Sequence, residues 1–162
     1  MKNIFVGAAV VLLLMTACVQ NVDPVAEKAA VKDVLDKMEQ AMTSEDIESF
    51  ASIVAHDTDM VNFGTDATER WVGWDALKSS MERQFAAFDK MQMSVRNQVI
   101  KVAAGGDVAW FSQVMDWNLE AGGKPVSLKG IRVTGVLEKR AGKWLIVQMH
   151  FSVGVAGQAA EY

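Results

Sequence analysis

Arg132-Val133-Thr134-Gly135-Val136-Leu137-Glu138-Lys139-Arg140-Ala141-Gly142-Lys143-Trp144-Leu145-Ile146-Val147-Gln148-Met149-His150-Phe151-Ser152 is the stretch on which the fold turns. Two β-rich runs flank Ala141-Gly142, a short glycine-bearing turn, and together they read as a hairpin. In the second run polar residues recur at even positions, which gives a strand one mixed face and one apolar face. Working backwards, residues 93–103, 108–120 and 126–139 are equally rich in β-branched and aromatic residues. They are separated by Gly105-Gly106-Asp107 and Ala121-Gly122-Gly123. Connections this short join antiparallel neighbours, because a parallel crossover needs a dozen residues or more. The second half of the chain therefore predicts a four-stranded meander ending at 143–153.

The first half has a different period. Over 24–42, Val31, Val34, Leu35, Met38, Ala41 and Met42 fall at helical spacing with charged residues on the remaining surface, which predicts a long amphipathic helix. Ser44 reads as the N-cap of a second helix, with Glu45 and Asp46 in its first turn and Ile47, Phe50, Ile53 and Val54 buried as far as residue 55. Residues 60–63 and 71–73 read as short extended pieces around a loop, and 74–89 as a third helix through Leu77, Met81, Phe85 and Phe88. Three helices followed by a meander make an α+β domain, with the helices on one face of a curved, mainly antiparallel sheet that closes over them as a cone.

Lys2 precedes an unbroken apolar run, Ile4 to Met15, of the length of a secretory signal and too short to span a bilayer comfortably. The run ends in Leu14-Met15-Thr16-Ala17-Cys18, which resembles a bacterial lipobox with Met15 standing where Leu, Val or Ile is usual. Cys18 is the only cysteine, so no internal disulfide forms, and acylation gives the thiol a use. The competing reading is ordinary cleavage after Ala17, where Met15 also fits poorly. The expected organisation is a signal peptide at 1–17, a lipidated Cys18 and tether at 18–24, one domain at 25–155, and a flexible tail at 156–162. By resemblance to lipoprotein sorting, Val19 in the second mature position points to the outer membrane of the cell envelope, facing the periplasm.

The full chain carries 16 basic and 20 acidic residues, and removing 1–17 takes away only Lys2, so the mature protein is mildly acidic. No basic run of the kind that holds phosphate backbones is present, which argues against a nucleic-acid partner. No repeat or low-complexity tract marks a second domain. His56 beside Asp57 and Asp59 is a weak set of metal ligands without a second histidine nearby, and neither metal nor cofactor is expected.

The order of elements, the Trp71-Val72-Gly73-Trp74-Asp75 opening of the third helix, and the Arg132-x-Thr134, Gly142-x-Trp144-x-Ile146 and His150-x-Ser152 signatures resemble the SnoaL-like branch of the nuclear transport factor 2 superfamily. The resemblance covers about residues 25 to 153 and implies a cystatin-like α+β roll. It does not choose a function, since the superfamily includes isomerases, cyclases, dehydratases, hydrolases, oligomerisation modules and carriers. Ketosteroid isomerases on this fold use an Asp general base with a Tyr and a protonated Asp as oxyanion hole. Alignment places Asn62 at the base, and an amide cannot take a proton from carbon. The sole tyrosine, Tyr162, lies at the chain end, which argues against steroid isomerisation.

Strict alternation puts Trp144, Ile146, Gln148, His150 and Ser152 on the mixed face of the last strand, and the same parity selects Trp110, Ser112, Asp116, Asn118, Arg132 and Thr134 on its neighbours. The expected ligand-binding set is Asn62, Trp71, Trp110, Asp116, Arg132, Gln148 and His150. The catalytic candidates are His150, Asp116 and Arg132, with His150 as a carboxylate-oriented base and Arg132 as an anion-binding group. The competing structural reading is an Asp116–Arg132 ion pair with His150 as a core residue. Phe63, Trp71, Trp74, Met81, Phe85, Trp110 and Met115 could line a cavity or simply fill the core. The opposite row, Leu145, Val147, Met149 and Phe151, is apolar and predicts a homodimer through the sheet. Two functions follow: an envelope lipoprotein binding a small apolar or amphipathic ligand, or a SnoaL-like isomerase, cyclase or dehydratase working through His150 and Asp116.

Overall fold

The computed structural model describes residues 22–157 and 160. The signal segment, Cys18, Val19 and Tyr162 lie outside the described residues. The first helix, α1 (Pro24–Thr43), starts where Asp23 accepts hydrogen bonds from the Val25 and Ala26 amides at 2.9 and 3.3 Å and Pro24 occupies the first turn. Its six anticipated apolar residues are all buried.

The second helix differs from expectation. Ser44 closes α1, its amide and hydroxyl both donating to the Gln40 carbonyl, and Glu45 takes a left-handed turn at φ 56°. Asp46 is the true N-cap of α2 (Ile47–Ala51), binding the amides of Glu48 and Ser49. The apolar stripe continues through Ile53 and Val54 without helix, because these residues run beside the last strand: Ile146 donates its amide to Ile53 O, and Ala55 returns one to Ile146 O.

A hairpin of β1 (Val61–Phe63) and β2 (Arg70–Val72) follows, then α3 (Trp74–Ala87). The third helix ends two residues early, because Phe88 is already extended and opens β3 (Phe88–Val102) without a loop. The meander is completed by β4 (Val108–Ala121), β5 (Lys124–Arg140) and β6 (Lys143–Ser152). The six strands form one sheet in the order β2-β1-β6-β5-β4-β3. The meander strands are antiparallel to their neighbours as expected, and β1 lies parallel to β6 at Phe63 and His150. Helices on one face of this curved sheet establish the α+β architecture anticipated from the sequence.

Curvature comes from extra residues. β3 carries one between Asp89 and Gln92 and another between Arg96 and Val99, β5 one opposite Asp116, and β6 one at Val147. Lys90, Asn97 and Gly130, at φ 55°, 54° and 71°, sit at three of these bulges. Each extra residue reverses which side chains face the helices beyond it. On β5 the inward set changes from Val126 and Leu128 to Ile131, Val133 and Leu137. On β6 it changes from Trp144 and Ile146 to Met149 and Phe151.

Under the β5–β6 turn the sheet is closed tightly by α1. Glu27 accepts from Lys139 Nζ at 2.6 Å and from the Trp144 indole at 2.9 Å. A second clasp holds the chain after α2 to the same hairpin: Arg140 binds Asp57 through two hydrogen bonds of 2.7 Å and reaches Glu138 at 2.8 Å. These partners hold the Glu27 and Asp57 carboxyls below the usual carboxylate range. A lowered native value stabilises the fold above the ordinary carboxylate range, and that stabilisation is lost as pH falls through the native value. Acid unfolding of Glu27→Gln/Asp57→Asn followed by circular dichroism is expected to be shallower with pH than in the wild type, and an unchanged acid limb would show that the clasps do not contribute.

Close approach decides one further position. A Cβ on Gly135 would lie 2.6 Å from the Gln148 carbonyl oxygen and 2.6 Å from Phe111 Cε1. Gly135→Ala is expected to cost about 1–3 kcal/mol in urea denaturation, the range for overpacking against atoms that cannot move aside.

Candidate functional site

At the end of the sheet away from the β5–β6 turn, the bulged strands and the helices enclose a cavity of about 270 Å³. Met42, Phe50, Leu77 and Met81 form its helical wall. Trp117, Leu119, Val126, Leu128, Met149 and Phe151 form its sheet wall, and Asn62, Phe63 and Trp71 close the β1–β2 side. Phe63, Asp66 and Val153 are exposed members of the lining and mark its mouth. Among the described residues, the titratable ones in the lining are Asp66 and Glu69, both on the β1–β2 loop, where Glu69 Oε2 accepts from the Asp66 amide at 3.0 Å.

Two polar groups sit deeper. Asn62 is 1% exposed, and its Oδ1 accepts from the Met149 amide at 2.8 Å. That bond fixes the amide orientation, because only the oxygen can meet an N–H, and leaves Nδ2 buried without a protein partner. Trp117 is 7% exposed, its ring centroid 5.7 Å from that of Phe151 and its Nε1 likewise buried and unpartnered. Both residues are in the lining, while these two N–H atoms themselves are enclosed by protein.

Of the residues anticipated from the sequence, Asn62 and Trp71 line this cavity, and Trp110, Asp116, Arg132, Gln148 and His150 do not. The parity argument linked residues that stand on the outer face, where Trp110, Ser112, Thr134 and Gln148 line a separate, more open hollow. Ser112, Thr134 and His150 are register partners, as are Trp110, Val136 and Gln148, but they stand on the outer face of the sheet. The extra residue Val147 is the physical reason: it leaves Trp144 and Ile146 facing inward and turns Gln148, His150 and Ser152 outward.

Asp116, Arg132 and His150 form no cluster. Asp116 Oδ1 accepts from the Gly130 amide at 2.8 Å and from Arg96 at 3.2 Å, so its carboxylate braces the β5 bulge. The Gly130 amide first, and then the Arg96 charge, hold its carboxyl below the usual range. Its ion-pair partner is Arg96, not Arg132, which is exposed. His150 is exposed on the last strand, its ring tilted against Phe63 at 5.5 Å. It is neither a core residue nor a base held by Asp116.

The row proposed for dimerisation is divided by the same bulge, so that Met149 and Phe151 line the cavity while Leu145 lies on the outer face. Among the other aromatic and methionine candidates, Phe63 and Met81 line the cavity, Trp74 and Met115 are core, Phe85 packs against the core, and Trp110 is 48% exposed outside. His56 stacks on Trp74 at 4.2 Å, and among the described residues no three His, Cys, Asp or Glu side chains are grouped as metal ligands. Trp117, Leu119, Leu128 and Phe151 went unnoticed as lining. Gly130, an isolated glycine inside a strand pattern, was the signal that the first part of β5 faces the other way.

Residues 31–156 match the SnoaL-like domain family, and the chain belongs to that family. Solved structures of the nuclear transport factor 2-like superfamily share its fold. An NTF2-like superfamily protein from Salmonella enterica serovar Typhimurium aligns over 85% of this chain and 99% of its own, with a TM-score of 0.75 at 14% identity. A protein from Streptomyces avermitilis, provisionally named a dehydratase of the NTF2-like family, aligns over 82% of this chain and 100% of its own, with a TM-score of 0.74 at 15% identity. The association domain of C. elegans CaMKII covers 80% of this chain and 98% of its own, with a TM-score of 0.63 at 19% identity. Identities this low convey the fold. No curated protein matches the sequence.

Asp116→Asn is expected to lower the melting temperature, because the neutral amide accepts more weakly from Gly130 and loses its attraction to Arg96. His150→Ala is expected to change stability by less than about 0.5 kcal/mol, as for other exposed positions without a tight partner. Differential scanning calorimetry of the two variants checks both, and the reverse ranking would restore His150 to the interior.

Proposed function

We propose that this protein is a cell-envelope lipoprotein whose SnoaL-like domain binds a small apolar or amphipathic molecule in the cavity between α1, α3 and the inner face of the sheet. The single observation that carries this reading is the cavity itself, roomy, apolar in its depth and opening at the β1–β2 edge. Cavities of this kind, mostly apolar with a few placed polar groups, are the usual form of small-molecule sites. The enzymatic alternative at His150 and Asp116 loses its support, since neither residue reaches the cavity. A proton carrier within it would have to come from Asp66 or Glu69 at the loop.

The anchor is lipidation of Cys18 after removal of residues 1–17, with the domain facing the periplasm from the outer membrane. Assembly as a homodimer through the outer sheet face belongs to the same proposal. Trp110 and Val99 are about half exposed there, and the name of the C. elegans relative declares it an association domain. Native mass spectrometry of protein purified from its own envelope is expected to show a bound small molecule and a diacylated or triacylated N-terminus. Leu128→Trp, which fills the cavity, should remove the small molecule while the melting temperature holds, and Cys18→Ser should release the protein to the soluble fraction. A chain with no adduct in the wild type would sink the binding role.

A further inference from the structure

Given the lipid anchor proposed at Cys18, the place of Val22 in the fold decides which way the cavity opens. Val22 is partly buried against the β3–β4 turn, where a Cβ on Gly106 would lie 2.7 Å from each of its two γ-carbons. Asp23 caps α1 directly afterwards, and Glu27 in the first turn is bound to Lys139 and Trp144 beneath the β5–β6 turn. The two turns are themselves joined, since the Lys139 amide donates to the Asp107 carbonyl at 2.7 Å. The chain therefore enters the fold at its closed end. It also enters on the β3–β4 side of the sheet, whereas the cavity mouth is on the β1–β2 side, in the order β2-β1-β6-β5-β4-β3. Entry and mouth occupy diagonal corners.

The separation can be compared with the reach of the tether. From its start at the entry corner, α1 runs 20 residues, about 30 Å, and Met42 near its far end lines the cavity. Along β6, ten residues or about 30 Å lead from the closed end to Ser152, and Val153 beyond it is at the mouth. Across the sheet, three strand spacings from β4 to β1 add about 14 Å. Against this, Cys18 and Val22 are four residues apart in sequence, a span of at most about 14 Å however the chain is drawn out. Turning the mouth onto the bilayer would lift Val22 beyond that reach. Charge acts in the same sense, because Asp66 and Glu69 beside the mouth are repelled by anionic headgroups.

We infer that the anchored domain stands on its closed corner, with the cavity mouth turned away from the bilayer that holds Cys18, so that a ligand enters from the aqueous side and is not drawn directly from the anchoring leaflet.

Purified acylated protein in phosphatidylethanolamine and phosphatidylglycerol vesicles tests this. Cys18 is the only cysteine and its thiol is consumed by the anchor, so a second cysteine takes a nitroxide label alone. Ala104→Cys marks the β3–β4 turn and Ala67→Cys the loop at the mouth, both exposed positions. With a nickel-chelating lipid in the vesicles, relaxation of the label at 104 is expected to be enhanced severalfold more than that at 67. Equal or stronger enhancement at 67 on acylated protein would overturn the orientation and leave the anchor standing. Intact mass without acyl chains on Cys18 would overturn the anchor and the orientation together. Twenty Gly/Ser residues inserted between Asn21 and Val22 lengthen the tether by about 25 Å and should narrow the difference between the labels. An unchanged difference would overturn the tether as its cause.

Discussion

Everything that distinguishes the two ends of this domain follows from the steric rule that side chains alternate along a strand, and from the few residues that break the alternation. A strand of 17 residues such as β5 has no reason of its own to curve round a group of helices. An extra residue bends it and also exchanges its faces, so that the same strand contributes Val133 and Leu137 to the core at one end and Val126 and Leu128 to the cavity at the other. The Asp116 carboxylate fixes one of these sites by accepting from the amide of Gly130, whose positive φ suits glycine. Bending and face exchange are one event here, and the cavity is its product.

The closed end shows what the protein does with the opposite condition. Beneath the β5–β6 turn, Leu137, Trp144 and Ile146 are buried in the core, and charged pairs clasp the rim from both sides. Salt bridges this exposed contribute little to stability alone. Their value is positional, since Glu27 ties the start of α1 to the turn and Asp57 ties the connection after α2 to the same turn. Met42, near the opposite end of α1, lines the cavity.

The architecture could be read in the residues because its signals are local and redundant. Glycine-bearing turns forced antiparallel neighbours, and helical spacing located α1 and α3. The second helix was misread because Ser44 and Asp46 are both good capping residues, and only the left-handed turn at Glu45 decides between them. The cavity was much less legible. Its lining depends on the parity of four long strands, and Val147 bears no local mark of a bulge. Gly130 does bear one, so the reversal on β5 was detectable in principle while that on β6 was not. Asn62 was found through the resemblance, which aligns it with the isomerase base, and Trp71 as one of the large aromatic residues able to line a cavity.

The β1–β2 hairpin has a consequence for access to the cavity. Two strands of three residues each, joined to the rest of the sheet by a short parallel pairing at Phe63 and His150, form its least secured edge. The same hairpin carries Asn62, Trp71 and the acidic loop, and so makes up one side of the cavity. Its momentary separation from β6 would break the Asn62 to Met149 contact and open the chamber sideways while the long meander stayed whole. For a ligand bound as proposed, entry and exit would follow fraying at this sheet margin rather than a parting of the helices from the strands beneath them.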